Sequence, residues 1–63
     1  MNLEDKRILI VAGQCAGTEG VCLGPAEDGK WAVSPDGSND ILFLEFEKDF
    51  GLLVDLSANP QNN

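Results

Sequence analysis

The chain has no histidine and no tyrosine, two cysteines, one tryptophan, and four basic residues against eleven acidic ones. Each shortage excludes something. Without imidazole, the hydroxyls of Ser34, Ser38 and Ser57 and the thiol of Cys15 lack the usual base that turns such groups into nucleophiles. Two thiolates, Cys15 and Cys22, cannot fill a tetrahedral zinc site on one chain. The basic residues Lys6, Arg7, Lys30 and Lys48 form no cluster beyond the first pair. They cannot displace counterions along a nucleic acid, so neither nucleic acid nor an anionic membrane is expected as a partner. No run approaches the ~20 apolar residues of a membrane-spanning helix. The opening "MNLEDKR" lacks the basic start and long apolar stretch of a secretory signal. These features predict a soluble, cytoplasmic protein with reduced thiols and no cofactor.

What is present is a globular composition. Sixty-three residues, 43% of them hydrophobic and 24% charged, suffice for one small domain. The net charge of -7 favours a soluble monomer. Apolar runs alternate with turn signals. "ILIVA" makes a first strand over 7–12, and a second follows over 19–24. Asp28-Gly29 marks a hairpin, because Asp-Gly suits turns with positive φ. "KWAVS" gives a strand over 30–34, and Asp36-Gly37 marks another turn. "ILFLEF" gives a strand over 41–46, with Leu42, Leu44 and Phe46 on one face and Ile41, Phe43 and Glu45 on the other. "EKDFG" forms a tight turn, and "LLVDL" a fifth strand over 52–56. The tail 57–63 is polar and expected to be disordered. The pattern predicts an all-β domain over 1–56, a small five-stranded antiparallel barrel. Its expected core is Ile8, Ile10, Val21, Val33, Leu42, Leu44, Phe46 and Leu53 or Val54. Phe43 and Phe50 are expected in the core or anchoring turns, with a partner contact as the other reading of Phe50. An open meander with a helix at 45–51 is the alternative architecture.

Glycines 13, 17 and 20 lie between the first two strands at the spacing G-x-x-x-G-x-x-G. Glycine tolerates the positive φ that a turning loop needs. Gly13 would end the first strand, Gly17 would turn the loop, and Gly20 would start the second strand at a bulge or bend. With the apolar positions Ile8, Ile10 and Val11 before them, these glycines resemble the KOW motif over about residues 7–23. KOW motifs occur in SH3-like barrels of ribosomal and transcription-factor proteins. The resemblance implies an SH3-like barrel and, by family habit, binding to RNA, the ribosome or a transcription complex. Such RNA-binding loops are rich in Lys and Arg, whereas this one carries Gln14, Cys15, Ala16, Thr18 and Glu19. The layout around "DGKWAV" is also similar to small SH3-like accessory subunits of photosynthetic complexes.

Other constellations reduce to structure. Glu45 and Glu47 share a strand face, and a solvated face is the simpler reading than an acid–base pair, which needs a pocket. Asp36, Ser38, Asp40 and Glu47 fall at positions 1, 3, 5 and 12 of a calcium loop, but Ile41 stands where that loop requires glycine. Gly24-Pro25 precedes no helix that could aim amides at phosphate. Cys15 and Cys22 could face each other across a turn at Thr18-Glu19; the expectation is the reduced state, with Cys22 a small buried apolar residue and Cys15 a loop thiol. Trp31 reads either as a half-buried core residue or as a contact on the barrel rim. The resulting expectation is a non-catalytic protein-interaction module or small accessory subunit. Its partner would be basic, with Trp31 as apolar anchor, Asp28, Asp36 and Glu45 around it, and Gln14 and Thr18 in the first loop. RNA or ribosome binding of KOW type is the alternative.

Overall fold

A computed structural model describes residues 2–53. Five antiparallel strands form one sheet: β1 (Arg7–Ile10), β2 (Glu19–Pro25), β3 (Trp31–Pro35), β4 (Leu42–Leu44) and β5 (Phe50–Leu52). Their spatial order is β4-β3-β2-β1-β5, and the sheet curls into a half-barrel. The first four strands are a meander. The fifth returns to pair with the first, Ile10 opposite Phe50 and Ile8 opposite Leu52. The all-β, five-stranded expectation holds; of the turn expected over 47–51, residues 47–49 turn without forming a helix, while Phe50 and Gly51 belong to β5.

Local chemistry explains the turns. Asp28 and Gly29 both sit at positive φ, 61° and 73°, and Lys30 N–H donates to the Glu27 carbonyl. That is the type I′ arrangement, whose twist matches two antiparallel strands. The second turn closes through Ser38 N–H to the Pro35 carbonyl, with Gly37 at φ 76°. Gly13 and Gly17 also sit at positive φ, 83° and 93°, in the loop between β1 and β2. Gly20 does something else. It lies inside β2, buried, opposite Pro35. A Cβ there would stand 2.5 Å from the Ser34 carbonyl oxygen and 3.0 Å from Pro35 Cα. Its role is close approach of two backbones, not a bend; the bulge comes later, between Cys22 and Gly24.

The core is Leu3, Ile8, Ile10, Cys22, Val33 and Phe50, with Cys15, Trp31, Leu42, Leu44 and Phe46 packed against it. Three of the expected core residues, Ile8, Ile10 and Val33, are fully buried. Val21 is only half-buried, because β2 turns Gly20 and Cys22 inward; the expected burial of Cys22 holds. Leu42, Leu44, Phe46 and Leu53 are half-buried rather than central. Phe43, expected inside or anchoring a turn, is 60% exposed. The inner face of β4 belongs to Leu42 and Leu44, so pleat alternation sends Phe43 outward. Strand ends shift as well. The first strand stops at Ile10, because Ile10 N–H bonds to Thr18 and the chain then enters the loop. The fourth is shorter than 41–46, and the fifth begins at Phe50 rather than Leu52. Val54, the end of the fifth strand expected over 52–56, and the tail 57–63 lie outside the described residues.

Leu3, 1% exposed, is buried from outside the sheet. Asp5 takes positive φ (67°), Lys6 N–H bonds back to the Leu3 carbonyl, and Asp5 N–H bonds to the Cys22 carbonyl. The turn folds Leu3 onto the core beside β2. Among the described residues, no helix is long and apolar enough to cross a membrane.

Candidate interaction surface

The residues expected to grip a partner do not gather at one place. Trp31 opens β3, opposite Pro25 on one side and Leu44 on the other. Asp28 lies in the adjoining hairpin and Glu45 directly follows Leu44, so these three share one region. Asp36 follows the other end of β3, roughly 16 Å away along a strand of this length. Thr18, at the end of the β1–β2 loop, adjoins that far end, where Asp36 N–H donates to the carbonyl of the next residue, Glu19, whereas Gln14 of the same loop lines a hollow with Leu42 and Leu44 of β4. Trp31 itself is half-buried and packed on the core, which makes it a supporting residue before it is a contact.

Asp36 is already engaged. Arg7 Nη1 and Nη2 donate to its two carboxylate oxygens at 3.0 and 2.6 Å, and Nη2 also donates to Glu19 Oε1 at 3.1 Å. This fork ties β1, the start of β2 and the β3–β4 turn together on the outer face. The hydrogen bonds from Arg7 hold the Asp36 carboxyl below its ordinary range. A carboxylate whose pKa is depressed by folding stabilises the fold above its unfolded pKa, about 3.9, and loses that contribution as pH falls through the folded value. Asp36→Asn should therefore melt slightly below the parent at neutral pH. The gap should close between about pH 4 and lower pH and shrink in high salt, since the pair is solvent-exposed. A gap that widened on acidification would contradict the assignment.

The thiols differ in environment. Both cysteines are free; Cys22 is buried and Cys15 half-exposed. Burial pushes the Cys22 thiol up, and the charges of Glu4 and Asp5 add to this. Thiolate is the reactive form, so iodoacetamide under native conditions should label Cys15 alone. Cys22 should react only after unfolding, as mass spectrometry with peptide mapping can show. Equal labelling rates would mean that Cys22 is not enclosed.

Two residues left out of the expected site, Ile41 just ahead of β4 and Phe43 within it, are exposed. Phe43 is 60% and Ile41 52% exposed. Phe43 and Ala32 are partners across β3–β4, and with Pro25, Ala26, Glu27, Asp28 and Lys30 they line a groove of ≈ 520 Å³. A second hollow of ≈ 250 Å³ lies beneath Leu42 and Leu44, walled by Ile10, Ala12 and Cys15. The signal for Phe43 was the alternation in "ILFLEF" itself, which puts Ile41 and Phe43 opposite the core face. Among the described residues, no three His, Cys, Asp or Glu side chains are grouped to hold a metal ion. Compared with known proteins, the chain matches no protein family, no curated protein and no solved structure.

Proposed function

We propose that this chain is a non-catalytic interaction domain whose partner is a protein with a basic surface. The observation that carries the reading is the exposed pair Ile41 and Phe43 set among acids. Asp40 precedes β4; Glu45, Glu47 and Asp49 follow it; Glu27 and Asp28 rim the groove beside Phe43. Few cations offset them. Arg7 is held by Asp36 and Glu19, and Lys48 lies 3.8 Å from Glu45, which leaves Lys6 ahead of β1 and Lys30 in the groove. An apolar contact with complementary charge around it fits a partner interface, where aromatic residues dominate the energy and charge sets rate and specificity. Phe43 replaces Trp31 as the anchor, because Trp31 is committed to packing.

The KOW resemblance offers the competing reading. Its support is the β1–β2 loop, with Gly13 and Gly17 at positive φ; the acidic surface opposes it. A tagged full-length chain recovered from its native host, with its co-purifying protein then titrated in purified form, tests both. Phe43→Ser should weaken that complex by about 2 kcal/mol and leave the melting temperature nearly unchanged, and binding should fall as salt rises. Salt-insensitive binding, or equal affinity for the variant, would defeat the proposal. Micromolar binding to RNA that collapses with salt would favour the KOW function instead.

A further inference from the structure

Among the described residues the curled sheet is not closed. β4 and β5 are its two ends, and they do not meet as paired strands. The outer edge of β5 is partly occupied: Phe46 bridges to Phe50, and Glu47 N–H donates to the Phe50 carbonyl at 2.7 Å. The outer edge of β4 is different. Among the described residues, the backbone of Leu42, Phe43 and Leu44 bonds only towards β3. Natural sheets blunt such edges with charge, proline or a bulge within the strand. This edge reads Leu-Phe-Leu, preceded by Ile41, and its charges stand only at its ends.

We propose that the outer edge of β4 accepts an extended, basic strand of the partner protein, adding a sixth strand on the open side of the half-barrel. The proposal rests on the reading of a basic protein partner and specifies how that partner is held. Side chains of an added strand alternate between faces. Those pointing inward would lie beside Leu42 and Leu44, over the hollow walled by Ile10, Ala12 and Cys15, and should be apolar and of about valine size. Those pointing outward would lie beside Ile41 and Phe43. A lysine or arginine there lays its aliphatic stem on the Phe43 ring and carries its charge to the acids around it. Main-chain hydrogen bonds to an exposed edge supply affinity, and alternate side chains supply selectivity.

Charge decides between occupants. A second copy of this chain, paired antiparallel about Phe43, would bring Asp40 of one copy beside Glu45 and Glu47 of the other, and each copy carries -7. Like charges across a strand pair are unfavourable. A strand alternating valine with lysine meets the same acids with the opposite sign.

The test uses the full chain and three short blocked peptides: one alternating lysine and valine, the same peptide N-methylated along one edge, and one alternating glutamate and valine. Isothermal titration at low salt should show the basic peptide binding about tenfold or more tightly than the N-methylated one, the difference expected from losing two or three hydrogen bonds. The acidic peptide should not bind measurably. Hydrogen exchange should show new protection confined to the amides of 41–44 that face away from β3. Equal affinity of the methylated peptide would overturn strand addition and leave the basic-partner reading standing. Failure of the basic peptide to bind would also overturn strand addition, while the co-purified complex decides the broader reading separately. Strong protection of these amides in the free protein would overturn it too. Protection independent of concentration would mean that the chain's own residues cover the edge, and protection that grows with concentration would point to a second copy.

Discussion

Gly20→Ala is expected to destabilise the domain by about 3 kcal/mol, the upper part of the usual range for forcing atoms into a packed site. The added Cβ meets backbone: the Ser34 carbonyl oxygen at 2.5 Å, Pro35 Cα at 3.0 Å and the Ser34 carbonyl carbon at 3.2 Å. Backbone cannot swing aside as a side chain can, so β2 and β3 must separate where Gly20 faces Pro35. For a domain of this size the loss corresponds to a fall in melting temperature of roughly 12–24 °C. Two companion variants isolate the cause. Gly51→Ala, in β5, meets no atom within 4 Å and has no positive φ, and should be close to neutral. Gly13→Ala also meets nothing, but holds φ at +83°, and should cost about 1 kcal/mol from backbone strain alone. Thermal melts followed by circular dichroism rank the three. If Gly20→Ala melted with the parent, the close approach of β2 and β3 would be wrong.

Phe50→Ala should be more damaging still. Phe50 is fully buried, sits opposite Ile10 across β1–β5, and packs its ring 5.6 Å from that of Phe46. Truncating a buried phenylalanine costs about 3–5 kcal/mol through lost transfer free energy and the cavity left behind. Small domains hold roughly 5 kcal/mol in total, so this variant should lose its cooperative transition at ambient temperature. Phe50→Leu keeps most of the volume and should cost about 1 kcal/mol, retaining a cooperative urea transition at a lower midpoint. A partner-binding Phe50 would give the opposite result: normal stability for both variants and altered binding.

How far the sequence reveals this fold depends on the range of the interaction. The Asp28-Gly29 turn was legible because its backbone preference is local. So was the two-faced character of 41–46, which follows from pleat alternation. The direction of β2 was not. Val21 and Leu23 are larger and more apolar than Gly20 and Cys22, so hydrophobic pattern alone turns the strand the wrong way. What turns it correctly is the nearness of Ser34 and Pro35, which leaves no room at that point of the inner face for anything larger than Gly20; Cys22 then follows two residues on, on the same face. Leu3 was illegible for a related reason: it is one apolar residue among charges, and only the tertiary turn at Asp5 brings it to the core. The candidate surface was half legible. The acids are plain in composition, but the bond of Asp36 to Arg7, 29 positions away, removes it from the group with Trp31. The exposure of Phe43 follows from the same alternation once Leu42 and Leu44 are known to face the core.

The pairing of the first strand with the last has a consequence for synthesis. Ile8 and Ile10 reach their final neighbours only when Phe50 and Leu52 arrive. A growing chain that has made four strands has an N-terminal strand with one side still unpaired and a core that lacks its largest buried side chain. No shorter segment ending before Phe50 encloses the interior, so the first four strands must wait for the fifth. Sheets that depend on such distant contacts fold in milliseconds to seconds rather than microseconds, and during that wait the unpaired side of β1 is exposed in addition to the apolar edge of β4, which the fifth strand does not cover. The acids on either side of β4 then serve a second purpose: they keep nascent copies from pairing with one another before the last strand comes home.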